Sequence, residues 1–433
     1  MDGLPQRRGG VVAAICFVTI VCDGYDLIVY GTVVPSLLRY EPWGLDATAV
    51  GAIASYSLIG MLLGALLVGV TTDLLGRRKL MLASVTWFSL SMGACAVAPT
   101  PELFGLFRFL GGIGLGGVIP TAIALTVEFA PPRRRNLVNA LMNSGYSVGA
   151  VLAAVLGLVL VAGHGFRPLL AIGALPLVLV VPVAWRWLPE SVDFLAARGR
   201  RAEAERVAAQ YGIAVPEPAA ATAAGRERFR ILLRRPYPRL VAAFAAASFL
   251  GQVVVYGLNT WLPEIMRSAG YPLGSSLQFL VALSVGAVAG ALVLSTVADR
   301  LGARIVVIAA FGVAVLALLI LSTNPPTVVL YLAVALAGVG SNGTQIVLNG
   351  YIAQRFPAGV RAGALGGILS VGRVGAILGP MLGAFAITAG FGLRGDFYLF
   401  VLPAALGMAA LLCTPREAAP QPSDRRRSTG RAR

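Results

Sequence analysis

Residues 69–79 read GVTTDLLGRRK, a polar turn between two long apolar stretches, and residues 295–304 read STVADRLGAR between two more. The segments align at an offset of 226 residues, pairing Asp73 with Asp299, Gly76 with Gly302 and Arg78 with Arg304. Outward in the same gapless register, Tyr30-Gly31 matches Tyr256-Gly257, and Gly60 and Gly64 match Gly286 and Gly290. Gly112, Gly114 and Gly117 match Gly338, Gly340 and Gly343, Pro131 matches Pro357, and Arg135 matches Arg361. Coincidence among 52 glycines is cheap, but charged anchors at one offset in so apolar a chain are not. The chain is a parallel duplication, without inversion.

What is duplicated follows from composition. Of 433 residues, 57% are hydrophobic and 12% charged, about half the ~25% charge of a soluble protein. Apolar stretches of about 20 residues recur, each able to cross a ~30 Å hydrocarbon layer as a helix. Twelve are predicted: 11–38, 47–72, 79–98, 102–127, 137–162, 167–188, 239–266, 275–298, 304–323, 327–352, 362–389 and 396–414. Asp23 and Asp26 inside the first argue against a cleaved signal peptide. The expected fold is an all-α membrane protein of two six-helix halves, 1–188 and 239–414. Between them lies a cytoplasmic linker, 189–238, with a short amphipathic helix in GRRAEAERVAAQYG, and after them a disordered tail, 415–433. A parallel six-helix repeat is one large transporter architecture, with its substrate site between the halves.

The net charge of +16 would suggest nucleic acid in a soluble chain. Here 28 of the 35 Lys and Arg fall in the two ends and every second loop, which predicts that both termini are cytoplasmic. Arg39, Arg167, Arg267 and Arg394 lie in the opposite loops, and Arg108, Arg186 and Arg373 within predicted helices. Lys79 is the one lysine and is followed by Leu80, so no Walker A loop exists. Cys16, Cys22, Cys95 and Cys413 are scattered and read as buried structural thiols. With His164 alone in an outer turn, they suggest no metal site, no cofactor and no enzyme.

The GVTTDLLGRRK loop resembles the signature of the major facilitator superfamily, and the resemblance covers essentially the whole chain. A boundary aspartate, a glycine turn and two cations can tie a helix end to a neighbouring helix. A cytoplasmic gate of Asp73, Gly76, Arg77, Arg78 and Glu128 is therefore expected, latched when the outer side is open. The second-half copy, Asp299, Arg300 and Arg304, is expected to be weaker because Gln354 stands where Glu128 does.

The first apolar segment carries DGYDLIVYG, residues 23–31, with Asp23, Asp26 and Tyr30 at helical spacing. A charge at the centre of a membrane helix costs about 2.5–3.5 kcal/mol on insertion scales, so two aspartates imply a wet or paired setting. A carboxylate alternating between dry and cation-paired surroundings can load and release a proton. Arg108, heading RFLGGIGLGG, is the expected partner of Asp26, with Asp23 second. Arg373 has no repeat mate, Ser147 standing at the equivalent position, and its planar guanidinium suits a carboxylate ligand.

DGYD with the following YGTVVPSLL is similar to the aromatic acid:proton symporter family within the superfamily. That resemblance implies import of a small aromatic acid such as a benzoate or hydroxybenzoate, with Asp23, Asp26 and Arg108 coupling the proton. Gln252, Tyr256 and Asn259 share one helix face, and Asn342, Gln345 and Asn349 another. With Arg373 and Tyr30 they are the expected substrate contacts, because the superfamily builds its cavity from helices one, four, seven and ten. Trp261 suits either a ring-stacking or an interfacial role. Helices three, nine and twelve are expected on the periphery without interior charge. LPES at 188–191 partly resembles a sugar-porter motif, leaving symport of a sugar, polyol or other organic acid as the alternative, with an exporter disfavoured by Ala153-Ala154 in helix five. The expected setting is the cell (plasma) membrane, as a monomer among lipids, with no nucleic-acid partner.

Overall fold

A computed structural model describes residues 3–131, 134–215, 237–356 and 358–414. They form α1 (Gly3–Leu37), α2 (Ala47–Leu75), α3 (Arg77–Val97), α4 (Pro101–Phe129), α5 (Arg135–His164), α6 (Arg167–Ile172), α7 (Pro176–Trp187), α8 (Val192–Ala197) and α9 (Arg201–Tyr211). The second half continues with α10 (Tyr237–Ser268), α11 (Leu273–Leu301), α12 (Ala303–Ser322), α13 (Thr327–Gly338), a π turn (Val339–Gly343), α14 (Thr344–Arg355), α15 (Ala358–Thr388) and α16 (Gly392–Leu412). Among the described residues twelve spans are long and apolar enough to cross a membrane, α6–α7 counting as one and α13–α14 as another. Residues 216–236 of the expected linker, the tail from 415 and the Asp73 side chain lie outside the described residues.

Local chemistry sets the ends. Asp46 caps α2 by accepting from Ala49 N at 2.7 Å, and Thr100 caps α4 ahead of Pro101 at its first position. Single glycines break α2 from α3 and α11 from α12: Gly76 at φ 90° and Gly302 at φ 89°, where a side chain would be strained. They are repeat mates. The sixth span, expected as one helix, is interrupted at Gly173–Leu175, where Pro176 opens α7 without an N–H to continue the ladder.

Packing repeats with the sequence. A Cβ on Gly60 would meet the Phe109 carbonyl and one on Gly112 the Ser57 carbonyl, which brings α2 and α4 to backbone contact. Gly286 meets Ala335 and Gly338 meets Leu283 in the same way, each partner also displaced by 226 residues. The six-helix unit has thus been copied down to its helix crossings.

The cores differ between the ends of the bundle. Away from the termini one apolar cluster runs through both halves, including Val33, Phe104 and Phe166 with Trp261, Phe279 and Phe400. At the termini end it gives way to two separate clusters, one around Phe88 and Phe129, the other around Phe244 and Phe356. Cross-half contacts follow the same division: Gly31 packs on the Asn259 carbonyl, Gly51 on Ala384, and Ser55 Oγ donates to Ile377 O at 2.7 Å. The halves are sealed at one end and parted at the other.

Candidate functional site

α1 carries its two aspartates into different surroundings. Asp26, 1% exposed, forms an ion pair with Arg108 of α4, itself 3% exposed. Met92 Sδ lies 3.4 Å from the same guanidinium nitrogen, and the guanidinium sits 5.3 Å over the Tyr30 ring. Tyr30 is committed structurally: its hydroxyl donates to Val50 O at 2.7 Å, tying α1 to α2, and it does not line the cavity as expected. Asp23 is wholly buried, and neither carboxylate oxygen has a hydrogen-bond partner. Arg373 from the other half acts on it electrostatically, as does Asp26.

Two adjoining chambers lie between the halves. One, of about 170 Å³, is lined by Gln252, Tyr256, Asn259, Asn342, Gln345 and Ser284. The other, of about 230 Å³, is lined by Arg373, Asn349 and Met61. Tyr146, Gln252 and Tyr256 belong to both, and the two tyrosine hydroxyls interact across the halves. Each chamber exceeds the ~150 Å³ that admits a benzene ring. Arg373 is partly exposed to its chamber and makes no hydrogen bond or ion pair among the described residues. The π turn Val339–Gly343 contains Asn342, an extra-residue register shift of the kind found at functional sites.

The lining is thus broader than helices one, four, seven and ten, because α5, α11 and α15 contribute Tyr146, Ser284 and Arg373. Tyr146 was missed in the sequence; it neighbours Ser147, the repeat mate of Arg373, and nothing else marks it. Trp261 takes neither expected role: it is 0% exposed in the core, donating to Pro380 O at 2.7 Å. Helix twelve is not free of charge, since it starts at Gly392 and buries Asp396. Among the cysteines, Cys16 and Cys95 are buried, Cys22 is partly exposed and Cys413 is exposed. His164 is exposed, as expected. No metal-ligand cluster exists among the described residues.

The model of the Major Facilitator Superfamily matches residues 16–295 and 273–432. The chain belongs to that superfamily. It is 36% identical to the gentisate transporter of Corynebacterium glutamicum over 94% of this chain and 88% of that one. It is 34% identical to the benzoate transport protein of Acinetobacter baylyi, over 90% and 86%. Among solved structures it resembles the partially occluded inward-open form of the xylose transporter XylE from E. coli. The TM-score is 0.76 at 18% identity, over 96% of this chain and 99% of that one. It is a transporter fold, not an enzyme.

The superfamily loop reveals its local chemistry here. Arg77 meets Glu128 Oε2 at 2.5 Å, Ser191 Oγ at 3.0 Å and Asp193 Oδ2 at 3.3 Å. Glu128 Oε1 accepts from Val192 N and Asp193 N at the start of α8, while Glu190 accepts from Arg78 N at 3.0 Å at the start of α3. Two carboxylates therefore satisfy two helix N-termini. Arg78 also donates to Trp185 O at 2.5 Å. All these partners lie in the first half or in the linker segment that directly follows it, and none in the second half, so the expected latch is, in this structure, a brace between the first half and the start of the linker. It is formed while the halves are parted at this end. In the second half Asp299 and Arg300 are exposed without ion-pair partners among the described residues, and Arg304 instead holds the end of α16 through Leu412 O and Thr414 O. A double-mutant cycle on Arg77→Ala and Glu128→Ala, read as thermal unfolding in detergent, should give a coupling of about 1 kcal/mol, because Arg77 remains about a quarter exposed. Strict additivity would mean that the pair braces nothing.

Proposed function

We propose that this chain is a proton-coupled importer of small aromatic carboxylates of the benzoate or hydroxybenzoate type. The observation that carries the reading is Arg373, a guanidinium that lines a ring-sized cavity without a hydrogen bond or ion pair among the described residues and acts electrostatically on a buried carboxylate without hydrogen bonds, Asp23. Relatives named for gentisate, benzoate and 4-hydroxybenzoate transport support the aromatic acid. A sugar or polyol would leave that cation without a counter-ion.

In this reading Asp23 and the substrate carboxylate compete for one cation. With Asp23 ionised, Arg373 is occupied electrostatically. Once Asp23 is protonated, Arg373 is released to grip the anion with two parallel donors, and the ring lodges beside Tyr146 and Tyr256. Either charge alone leaves an uncompensated ion in a dry cavity, so proton and acid load together. Asp26 stays with Arg108 as the pairing that allows α1 and α4 to move as one body, and the Arg77–Glu128 brace keeps the first half rigid as the halves rock.

The remaining assignments belong to the same proposal. The protein sits in the plasma membrane as a monomer with both termini cytoplasmic, and 189–238 joins two halves spanning 1–188 and 239–414. The parted end then faces the cytoplasm. The test is uptake of labelled 4-hydroxybenzoate by proteoliposomes of the full chain. Accumulation is expected with an acidic exterior, together with alkalinisation of that exterior, and it should vanish with a protonophore. Accumulation indifferent to the gradient would overturn the coupling, and competition by sugars but not by aromatic acids would overturn the substrate.

A further inference from the structure

Two polar side chains in the amide-lined chamber have nothing to bond. Gln345 is 8% exposed and its Nε2 has no partner; Ser284 is 4% exposed and its Oγ has none. Both line the same chamber, the one that does not contain Arg373. Gly251 makes the first possible, because a Cβ there would occupy the position of the Gln345 amide nitrogen. Neighbouring Asn259 is already engaged, donating to Val255 O at 2.8 Å. A buried donor left unpaired is costly, and a site built around such groups discriminates strongly between ligands that do and do not complete them.

The chemistry of the two groups names the complement. An amide N–H needs an acceptor, and a serine hydroxyl can donate or accept. A phenolic hydroxyl is both at once. A bare ring edge offers neither. The dividing wall, Tyr146, Gln252 and Tyr256, is shared with the Arg373 chamber, so one flat molecule can place a carboxylate on one side and a ring substituent on the other. We infer that the Gln345–Ser284 chamber is a subsite for a ring hydroxyl directed away from the carboxylate, so that the chain prefers meta- or para-hydroxylated aromatic acids to unsubstituted ones. This rests on the aromatic-carboxylate reading above and narrows it. A hydroxyl ortho to the carboxylate would point back toward Arg373 and gain nothing in this subsite.

Calorimetric titration of the detergent-solubilised full chain with benzoate, 4-methylbenzoate and 2-, 3- and 4-hydroxybenzoate tests it. The 3- or 4-hydroxy acid should bind at least about 10-fold more tightly than benzoate, 4-methylbenzoate and 2-hydroxybenzoate. In Gln345→Met and, separately, Ser284→Ala, that ratio should shrink to about threefold or less, a readout that a general loss of fold would not mimic. Benzoate binding as tightly as the hydroxylated acids would overturn the subsite while leaving the aromatic-acid reading intact, as would variants that keep the wild-type ratio. Failure of every aromatic acid to bind would overturn both.

Discussion

Arg373→Gln is expected to weaken binding of an aromatic acid by about 100-fold or more. Two charge-assisted hydrogen bonds at about 1.5–3 kcal/mol each are lost, and 1.4 kcal/mol is tenfold in Kd. Arg373→Lys should recover only part of the loss, since an ammonium supplies the charge without the planar fork. The protein itself should survive the change. Arg373 has no hydrogen bond or ion pair among the described residues, so its removal breaks none, and Asp23 loses only the electrostatic influence of the guanidinium. Calorimetric Kd values and ligand-free melting curves measure the two effects separately. A Kd within threefold of wild type would remove Arg373 from the substrate site.

Asp23→Asn is expected to abolish accumulation driven by a pH gradient while leaving counterflow of the acid between the two faces of the membrane. Asparagine imitates the protonated carboxyl permanently, so Arg373 is always free and the gradient has nothing to load. The same substitution should flatten the pH dependence of binding. In the wild type, affinity falls as pH rises, because an ionised Asp23 competes with the substrate for Arg373. The titratable groups interacting electrostatically with Asp23 are Cys22 and Asp26 on its own helix, Arg373 and Tyr256 from the second half, and Tyr146 from α5. Undiminished gradient-driven accumulation would sink the assignment. Asp26→Asn should also lose uphill uptake but for a different reason: it leaves Arg108 buried at 3% exposure with no counter-ion, a loss of about 3–5 kcal/mol that should be visible in the melting curve. Stability thus separates the two aspartates where transport alone would not.

Much of the fold was legible because a membrane constrains a chain so strongly. Every spanning backbone must bond to itself, which leaves helices as the answer for each apolar run, and the 226-residue register then fixes which helices correspond. The crossings Gly60–Phe109 and Gly286–Ala335 obey that register, although no helix contact was visible beforehand. The breaks were less legible. Pro176 and the VGSNG π turn alter the path inside runs whose hydropathy is uninterrupted. The charged site residues were conspicuous for an energetic reason, since Asp23, Asp26, Arg108 and Arg373 are costly in an apolar helix unless they serve something. Tyr146 was not, because a tyrosine in a membrane helix carries no such cost, and Tyr30 and Trp261 were over-read for the same reason.

By itself, then, the sequence determined the membrane-spanning class, the duplication and the short list of intramembrane charges, and it narrowed the partner of Arg108 to Asp26 or Asp23. Each follows from composition or spacing along one chain. Only the tertiary structure decided that Asp26 pairs with Arg108 while Asp23 has no hydrogen-bond partner, that Arg77 and Glu128 brace one half, and that the unpaired Gln345 amide and Ser284 hydroxyl share the chamber adjoining that of Arg373. Those depend on the rotation of each helix about its axis and on which end of the bundle is closed. Both are set by packing between segments hundreds of residues apart, and spacing within a segment carries no trace of either.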